Sequence, residues 1–313
     1  MRIAVTGASG FIGSWIVRSL LSRGHEVVAY LRNESDTWRL PKHENLCLVK
    51  MDEYGERIDL AERKIESLII AGWFGVEQIE RDSNRQFDNL ILFRNLLRAA
   101  EIGKVLTVIG IGSQAEYGEP TVLIDEESAV TPKSNYAKAK VQASEILFEF
   151  GKRTGARVTW IRIFSVFGPL MPPVGFVPEL VSSKSIEEKI ELKNPNLIWS
   201  FLDVRDCSQA ITEVVENANL SGIVNLTNTE SATLLDYARQ ISPTSYSNLE
   251  VGNNAENPKE LVMQTQPEKL LLFGWKPRFR FGESLSFFRN WANGEQVLDP
   301  YLGGTLPFPK SNQ

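Results

Sequence analysis

Near its N-terminus the chain reads Arg2-Ile3-Ala4-Val5-Thr6-Gly7-Ala8-Ser9-Gly10-Phe11-Ile12-Gly13. The run from Arg2 to Thr6 is apolar and has the length of a strand, and apolar side chains at helical spacing follow the last glycine. The three glycines are spaced as GxxGxxG. A strand, a glycine turn and an amphipathic helix predict a turn that binds a dinucleotide, because the glycines permit a sharp bend, close approach of the pyrophosphate and tight packing of the helix on the strand.

Strand and helix patterns alternate through the first half of the chain. Strands separated by helices are typical of βαβ units, whose right-handed crossovers place helices on both faces of a parallel sheet. We therefore predict an α/β fold, a Rossmann-type doubly wound parallel sheet with a smaller C-terminal α/β substrate domain. The predicted strands are Arg2–Thr6, Val27–Leu31, Leu46–Lys50, Ser67–Ala71, Lys104–Gly110 and Arg157–Phe164, and the predicted helices are Phe11–Arg23, Asp82–Ala100 and Asn135–Gly151.

Prolines become frequent after Phe164, and the predicted elements become shorter. We place a domain boundary here, so that residues 1–167 form the dinucleotide-binding domain and residues 168–313 form mainly the substrate-binding domain. Two later segments, Trp199–Asp206 and Gly222–Leu226, have the pattern of strands that return to the first sheet. Residues near 199–228 are therefore expected to belong to the first domain.

The composition excludes several classes of protein and of binding partner. The 313 residues carry 34 Lys and Arg against 39 Asp and Glu, a net charge of −5, with 42% hydrophobic residues, which is ordinary for a globular enzyme. The acidic balance argues against a nucleic-acid partner, and the lack of a leader or of an apolar run of about 18 residues argues against a membrane partner. Two cysteines, Cys47 and Cys207, favour a reducing cytoplasm. The two histidines have no clustered acidic or Cys neighbours, so no metal is expected.

The end of the second predicted strand bears on the choice of cofactor. NAD-binding sites usually place Asp or Glu there, to accept a hydrogen bond from the ribose 2′-hydroxyl. This chain has Val28-Ala29-Tyr30-Leu31-Arg32-Asn33 instead, and the Arg32 guanidinium suits the 2′-phosphate of NADP. We therefore favour NADP(H), while the nearby Glu34 and Asp36 leave NAD(H) open.

Tyr136 and Lys140 are four residues apart on a predicted helix, so they share a face. An ammonium beside a phenol lowers the tyrosine pKa from about 10 toward neutrality. Such a pair can exchange a proton with a substrate hydroxyl or carbonyl. Ser113 follows another strand, at the edge of the sheet where ligands bind in open α/β folds, and we expect its hydroxyl to hydrogen-bond the reacting oxygen.

Together these features resemble the extended short-chain dehydrogenase/reductase family, in particular its sugar-nucleotide epimerase, dehydratase and reductase branch. The resemblance spans residues 1 to about 290. The segments that carry it are Thr6–Gly13, Ser113 with Tyr117-Gly118, Tyr136 with Lys140, Arg162–Pro169, Trp199–Asp206 and Leu272–Pro277.

The resemblance implies a role for each of several residues. Tyr136 would be the proton donor and acceptor, Lys140 would bind the nicotinamide ribose, and Ser113 would orient the sugar oxygen. The long helices Asp82–Ala100 and Asn135–Gly151 resemble those that form a homodimer in this family. The expected cofactor-binding residues are Gly7, Gly10, Phe11, Ile12, Gly13, Arg32, Asp52 (beside adenine), Ala71, Gly72 and Lys140. The expected substrate-binding residues are Trp73, Ser113, Gln114 and Ser165.

Departures from the family pattern reduce the number of reactions that this chain is expected to catalyse. The 4,6-dehydratases carry Asp-Glu after the active-site Ser or Thr, where this chain has Gln114-Ala115, and the epimerase–reductases carry a Cys at the position of Ala115. Neither elimination nor double epimerisation is therefore expected, which leaves hydride transfer at one carbon. An Asn and an Arg that usually grip the nucleotide diphosphate are Ser165 and Trp199 here.

The function we predict is NAD(P)H-dependent reduction of a nucleotide-linked 4-keto-6-deoxy sugar, with the hydride delivered to C4. A sugar-nucleotide 4-epimerase that retains NAD is the main alternative. A reductase of carbonyl compounds without a nucleotide, such as acyl thioesters, is left open by Ser165 and Trp199. A non-catalytic nucleotide sensor on the same fold is a further alternative, against which the intact Ser113, Tyr136 and Lys140 argue.

Overall fold

The computed structural model of the protein describes residues 1–120, 122–182, 190–192, 194–242, 249–251, 263 and 265–310. In these residues the strands are β1 (Arg2–Thr6), β2 (Glu26–Arg32), β3 (Leu46–Met51), β4 (Ser67–Ile70), β5 (Thr107–Ser113), β6 (Arg157–Ile163), β7 (Val166–Phe167), β8 (Ile190–Leu192), β9 (Ile198–Trp199), β10 (Leu202–Asp203), β11 (Gly222–Leu226), β12 (Ala232–Thr233) and β13 (Leu249–Val251). The α-helices are α1 (Phe11–Ser22), α2 (Asn89–Ile102), α3 (Asn135–Thr154), α4 (Phe176–Ser182), α5 (Val204–Glu216), α6 (Leu234–Ile241), α7 (Glu268–Leu272) and α8 (Phe281–Ala292). Short 3₁₀ helices cover Gln78–Glu80, Asn84–Asp88 and Gln114–Tyr117.

Seven strands form one sheet in the order β11-β6-β5-β4-β1-β2-β3, and each neighbouring pair in it is parallel. The strand order reverses between β1 and β4, because the chain adds β2 and β3 on one side and β5, β6 and β11 on the other. The predicted doubly wound parallel α/β sheet is therefore confirmed. In such sheets ligands bind outside the carboxyl ends of the strands, at the point of reversal.

The central strands are buried on both faces. In β1, Ile3 and Val5 pack into a core shared with α1 and α5, whereas Ala4 packs into a second core shared with α2 and α3. Helices on both faces of a parallel sheet exclude water from both sides of each strand. This is why β1 appears in the sequence as a continuous apolar run instead of an alternating one.

A third core joins the C-terminal part of the chain to the first helix. It contains Trp15 of α1 together with Phe167, Phe201, Tyr237 and residues of α8. The rings of Tyr237 and Phe281 have centroids 4.5 Å apart, and ring pairs of this kind add to the stabilisation that burial provides. The C-terminal part is therefore held by aromatic packing next to the carboxyl edge of the sheet.

The predicted helix Asp82–Ala100 begins later than expected. Residues Asn84–Asp88 form a 3₁₀ helix, and α2 runs from Asn89 to Ile102. Ser83 accounts for the difference, because its hydroxyl accepts the Arg85 N–H and starts a separate turn. The apolar periodicity does not distinguish this turn from the helix that follows it.

The strand predicted at Lys104–Gly110 lies three residues further along, at Thr107–Ser113. Lys104 adopts a left-handed conformation with a φ of +50°, and the Val105 N–H donates to the Ala100 carbonyl oxygen. These residues therefore complete the end of α2. As a consequence, Ser113 is the last residue of β5 and lies at the carboxyl edge of the sheet.

The two predicted returns to the sheet have different outcomes. Gly222–Leu226 joins the sheet as β11, beside β6. Trp199–Asp206 does not join it, because β9 pairs with β12 and β10 pairs with β7. The Asp203 side chain accepts the Arg205 N–H and caps α5, which ends the strand after two residues.

Candidate active site

The glycine turn between β1 and α1 has the geometry that its spacing predicts. Gly7 has a φ of +67°, in the left-handed region that favours glycine. A Cβ on Gly7 would lie 2.5 Å from the Gly72 nitrogen, and a Cβ on Gly13 would lie 2.1 Å from the Gly7 carbonyl oxygen. Both positions therefore require glycine. The N-terminus of α1, whose first N–H groups have no partners within the helix, opens at the edge of the sheet.

A cavity of about 660 Å³ extends along the carboxyl edge of the sheet from this turn to Tyr136. Its volume is in the range of ligand-binding sites. Of the residues predicted from the sequence, those that line it are Gly7, Gly10, Phe11, Ile12, Gly13, Arg32, Ala71, Gly72, Trp73 and Tyr136. Those outside its wall are Asp52, Ser113, Gln114, Lys140 and Ser165. A turn that leaves no room for a Cβ, next to a cavity of this size, fits a dinucleotide.

Arg32 lies at the end of β2, where the cavity wall also contains acidic residues. Asp36 forms an ion pair with Lys310, and Glu34 and Glu53 line the cavity. Arg32 forms no ion pair with any residue in the described part of the chain. The wall therefore offers a guanidinium for a phosphate as well as carboxylates for ribose hydroxyls.

Asp52 has a different position from the one expected beside adenine. Its carboxylate accepts the backbone N–H groups of Tyr54 at 3.1 Å, Glu56 at 3.0 Å and Arg57 at 3.2 Å. Partial burial alone would raise the pKa of Asp52, but these N–H groups outweigh it and lower the pKa. The side chain orders the turn after β3, and the neighbouring Met51, Glu53 and Tyr54 line the cavity in its place.

The three residues predicted to be catalytic converge at the carboxyl edge. The Lys140 ammonium of α3 donates a hydrogen bond to the Ile111 carbonyl oxygen of β5 at 2.7 Å. Ser113 ends the same strand, and its hydroxyl hydrogen-bonds to the Tyr136 phenol, which partly offsets the rise in the Tyr136 pKa that burial causes. The structure thus brings Ser113, Tyr136 and Lys140 together, although they come from two different elements.

Trp73 separates Lys140 from the cavity. The Lys140 ammonium lies 3.7 Å from the centroid of the Trp73 ring, a cation–π contact. The Trp73 indole N–H donates to Gln86 Oε1 at 2.9 Å, and its ring meets that of Tyr136 edge-on at 6.3 Å. Tyr136 and Trp73 therefore form the cavity wall, with Lys140 directly behind them.

Burial shifts both titratable residues of this group. It lowers the pKa of Lys140 to about 7, against the opposing charge of Glu116. It raises the pKa of Tyr136, while Ser113 and Arg81 lower it by smaller amounts. The expectation from spacing alone, a Tyr136 pKa lowered by Lys140, is therefore wrong for this structure, because the removal of the phenol from water outweighs the neighbouring charges.

Sequence patterns did not indicate Gln86 and Asn89, which hold the loop after β4. The Gln86 amide nitrogen donates to the carbonyl oxygens of Gly75 at 2.6 Å and Glu80 at 3.0 Å. Asn89 Oδ1 accepts the Phe74 N–H at 2.7 Å. Both side chains are buried. The available signal was that these two amide side chains lie on the apolar face of the predicted helix Asp82–Ala100, where a polar residue needs buried hydrogen-bond partners.

Arg81 is a third residue that sequence patterns did not indicate. Its guanidinium lies 5.3 Å from the centroid of the Tyr136 ring, and its carbonyl oxygen accepts the Tyr136 N–H at 2.8 Å. Its cation lowers the pKa of Tyr136. No spacing in the sequence connects the two, because only the folded loop brings them together.

Gln114 and Ser165 form a polar cluster with Trp199. The Ser165 hydroxyl accepts the Trp199 indole N–H at 2.8 Å and the Gln114 amide N–H at 3.4 Å. The Ser165 N–H in turn donates to Gln114 Oε1 at 3.2 Å. Ser165 and Trp199 occupy the two positions whose side chains, by the family resemblance, usually bind the diphosphate. Here both side chains are uncharged, and they hydrogen-bond to each other.

Two further findings concern the described residues as a set. They contain no group of three or more His, Cys, Asp or Glu side chains arranged to hold a metal ion. None of their helices combines the length and the apolar character that a membrane span requires.

Helices α2 and α3, the pair expected at a homodimer interface, pack on each other in the single chain, and the homodimer stays a prediction.

The profile of the NAD dependent epimerase/dehydratase family matches residues 3–227. A cinnamoyl-CoA reductase, CAD2, of Medicago truncatula is 28% identical over 252 residues, which cover 70% of this chain and 74% of the relative. The dTDP-6-deoxy-L-talose 4-dehydrogenase (NAD(+)) of Aggregatibacter actinomycetemcomitans is 26% identical over 234 residues, covering 72% of this chain and 83% of the relative.

Solved structures share the fold over nearly the whole chain. The UDP-glucose 4-epimerase of Thermus thermophilus, solved in complex with NAD, superposes with a TM-score of 0.76. It is 24% identical in sequence, and the match covers 93% of this chain and 98% of the epimerase. At this identity the likeness shows the fold.

Proposed function

Because the chain belongs to the NAD dependent epimerase/dehydratase family, we propose that it is an NAD(P)H-dependent reductase of a nucleotide-linked 4-keto-6-deoxy sugar. The observation that carries the proposal is the convergence of Ser113, Tyr136 and Lys140 beside the cavity at the glycine turn. Gln114 and Ala115 occupy the positions where elimination of water would need two carboxylic acids. The site therefore favours hydride transfer coupled to proton exchange at one carbon.

In the proposed mechanism the protein controls the carbonyl oxygen at C4. When bound, the nicotinamide supplies the hydride that forms the new C–H bond. The electron pair of the C=O π bond passes to the oxygen, and the Tyr136 phenol donates its proton there. The Ser113 hydroxyl holds that oxygen beside the phenol, and the Lys140 ammonium stabilises the phenolate that remains.

The protonation state of Tyr136 is compatible with the reductive direction. Burial raises the pKa of this phenol, so it is protonated at neutral pH. A proton donor must start in this state. The name of the Aggregatibacter relative, a 4-dehydrogenase of a deoxysugar nucleotide, describes chemistry at the same carbon.

The preference for NADP rests on Arg32, which is free of ion pairs in the described residues. Against it, the name of the Aggregatibacter relative specifies NAD(+), and the Thermus epimerase structure contains NAD. Mass spectrometry of the dinucleotide released from the denatured protein distinguishes the cofactors. NADP(H) that exchanges freely supports a reductase, and tightly held NAD at about one per chain supports an epimerase.

A 4-epimerase is the second candidate, favoured by the fold shared with a UDP-glucose 4-epimerase. It would use the same three residues but return the hydride to the opposite face of the sugar. Net consumption of reduced cofactor during turnover would exclude a 4-epimerase.

A reductase of a carbonyl substrate without a nucleotide is the third candidate function. It is favoured by the uncharged Ser165–Trp199 contact and by the cinnamoyl-CoA reductase relative.

The test is turnover of the Tyr136→Phe variant with NADPH or NADH and a panel of dTDP- and UDP-linked 4-keto-6-deoxyhexoses. Loss of the proton donor should lower kcat by about a hundredfold or more, with cofactor binding retained. Tyr237→Phe is the matched control, because it removes a buried phenol hydroxyl from the C-terminal core. If Tyr136→Phe kept most of the turnover, the mechanism would be wrong.

A further inference from the structure

A buried ion pair lies behind the three predicted catalytic residues. Arg162 Nε of β6 is 2.8 Å from Glu116 Oε2, and their side chains are 6% and 0% exposed. The Glu116 carboxylate also accepts the Ser113 N–H at 2.8 Å and the Trp160 indole N–H at 3.0 Å. Both of its oxygens are therefore bonded, and one bond goes to the backbone of Ser113.

The surrounding backbone leaves room for this carboxylate. A Cβ on Gly112 would lie 2.5 Å from Glu116 Oε1 and 2.3 Å from the Trp160 indole nitrogen. Ser113 is also held from its other side, because its hydroxyl accepts the Ala115 N–H at 3.2 Å. The Ser113 backbone and side chain are thus both fixed by the turn that contains Glu116.

The charge pair gives little stability by itself, although the bonds between Ser113 and Glu116 also form a capping box of the 3₁₀ helix. The cost of removing two charges from water commonly cancels the attraction between them, so well-packed apolar side chains often serve stability as well. Glu116 instead bonds to Ser113 and raises the pKa of Lys140 against the effect of burial. Its contacts lead to the residues of the reaction.

The charged and titratable groups that face Lys140 and Tyr136 come from two elements besides α3. Glu116, in the 3₁₀ helix after β5, acts on both residues, and Arg81, in the loop after β4, acts on Tyr136. Lys140 and Glu116 lie on the same indole, because the ammonium is 5.9 Å from the centroid of the Trp160 ring and the carboxylate accepts the Trp160 indole N–H. Glu116 is the only carboxylate among these described residues. Its charge therefore favours the Lys140 ammonium, together with the Ile111 carbonyl oxygen and the Trp73 ring, and Arg162 pairs with this carboxylate.

We propose that Glu116 and Arg162 are positioning residues of the active site. Glu116 fixes Ser113 through its backbone N–H and favours the charged form of Lys140, while Arg162 opposes that charge effect and anchors the carboxylate. The roles rest on the proposed function, in which Ser113 orients the reacting oxygen and Lys140 supports Tyr136. The titration of Lys140 is a property of the folded protein and is measured without substrate.

The experiment follows the Lys140 side chain by NMR of protein labelled with ¹³C at lysine Cε, with Lys140→Arg to assign the signal. Glu116→Gln removes the negative charge, so the midpoint of the Lys140 titration should fall by about one pH unit. Arg162→Gln removes the opposing cation, so the midpoint should rise by a similar amount. The double variant should return toward the wild-type midpoint.

Asp299→Asn is the matched control. It breaks another deeply buried pair, Arg18–Asp299, which has the same separation of 2.8 Å and joins α1 to the C-terminal segment. It should lower the melting temperature without moving the Lys140 midpoint. Equal midpoints in all variants, or shifts of the same sign for Glu116→Gln and Arg162→Gln, would overturn the proposal.

A reductase assay separates this proposal from the proposed function. If wild-type protein reduces a ketosugar, Glu116→Gln should move the alkaline limb of the kcat profile to lower pH and Arg162→Gln should move it to higher pH. If no ketosugar is reduced but the opposed NMR shifts are found, the proposed substrate is wrong and the coupling of Glu116 to Lys140 stands. If reduction is found without the shifts, only the roles of Glu116 and Arg162 are wrong.

Discussion

Tyr136 and Lys140 show how burial sets the chemistry of single residues. The same removal from water raises the pKa of Tyr136 and lowers that of Lys140 to about 7, because in each case it disfavours the charged form. The phenol therefore holds its proton at neutral pH, and the ammonium is near its midpoint. Small changes in the charges around Lys140 thus have a large effect on its protonation.

The glycine turn makes a prediction about one residue. Gly13→Ala should weaken binding of the nicotinamide dinucleotide by about tenfold or more, since the new Cβ would lie 2.1 Å from the Gly7 carbonyl oxygen and overpacking of this kind costs about 1–3 kcal/mol. Isothermal titration with NAD and NADP measures the effect. Gly282→Ala is the control, because a Cβ there has open space. Unchanged affinity in Gly13→Ala would contradict the role of the turn.

At the scale of elements, the loop after β4 depends on side-chain amides more than on regular structure. The Gln86 amide nitrogen bonds to two carbonyl oxygens of this loop, and its Oε1 accepts the Trp73 indole N–H. Gln86 lies in the 3₁₀ helix that precedes α2. Its bond to Trp73 helps to hold that ring in the cavity wall.

The start of α3 makes a prediction about one element. Ser134 caps this helix, since its hydroxyl accepts the Ala137 N–H at 3.2 Å, and α3 carries Tyr136 and Lys140. Ser134→Ala should lower the free energy of unfolding by about 1 kcal/mol, as measured by urea denaturation. Ser286→Ala, on the exposed side of α8, should change it by less than about 0.5 kcal/mol. Equal effects of the two substitutions would show that the cap does not stabilise α3.

At the scale of the whole molecule, Asp206 links α5, which packs in the core of the sheet, to the segment that precedes α8. Its Oδ2, on α5, accepts the N–H groups of Arg278 at 3.0 Å and Phe279 at 3.1 Å, just before α8. Its Oδ1 has no hydrogen-bond partner among the described residues. Burial, assisted by the charge of Asp203, raises the pKa of Asp206 to about 6.

This raised pKa predicts how stability depends on pH. Between about pH 4 and pH 6 the folded chain binds a proton at Asp206 that the unfolded chain releases, so the contribution of this carboxyl to the free energy of unfolding falls as the pH rises. Asp206→Asn should therefore gain stability relative to the wild type over this window, by on the order of 2–3 kcal/mol. Urea denaturation at pH 4, 5, 6 and 7 measures the difference.

Other carboxyl groups titrate in the same window, so the comparison needs a control. Glu145→Gln removes an exposed carboxyl of α3 and leaves the link between α5 and α8 intact. The difference from the wild type should be much smaller for this variant. A constant difference between Asp206→Asn and the wild type across the window would mean that the pKa of Asp206 is not raised.

The chain's local patterns were sufficient for the parallel α/β sheet, the glycine turn and the Tyr136–Lys140 pair. Each of these depends on neighbours in the sequence: the run from Arg2 to Gly13 sets a strand, a bend and a helix, and a spacing of four residues puts Tyr136 and Lys140 on one face. Burial on both sides then follows from helices that alternate with parallel strands.

Folding alone decided the contacts between distant segments and the electrostatics that result from them. Asp52 turns to the N–H groups of its own loop, Arg81 reaches Tyr136, and Glu116 meets Arg162. Spacing cannot encode such contacts, because they depend on which loop packs on which strand. A pKa depends on burial as much as on charge, so the direction of the Tyr136 shift became evident only in three dimensions.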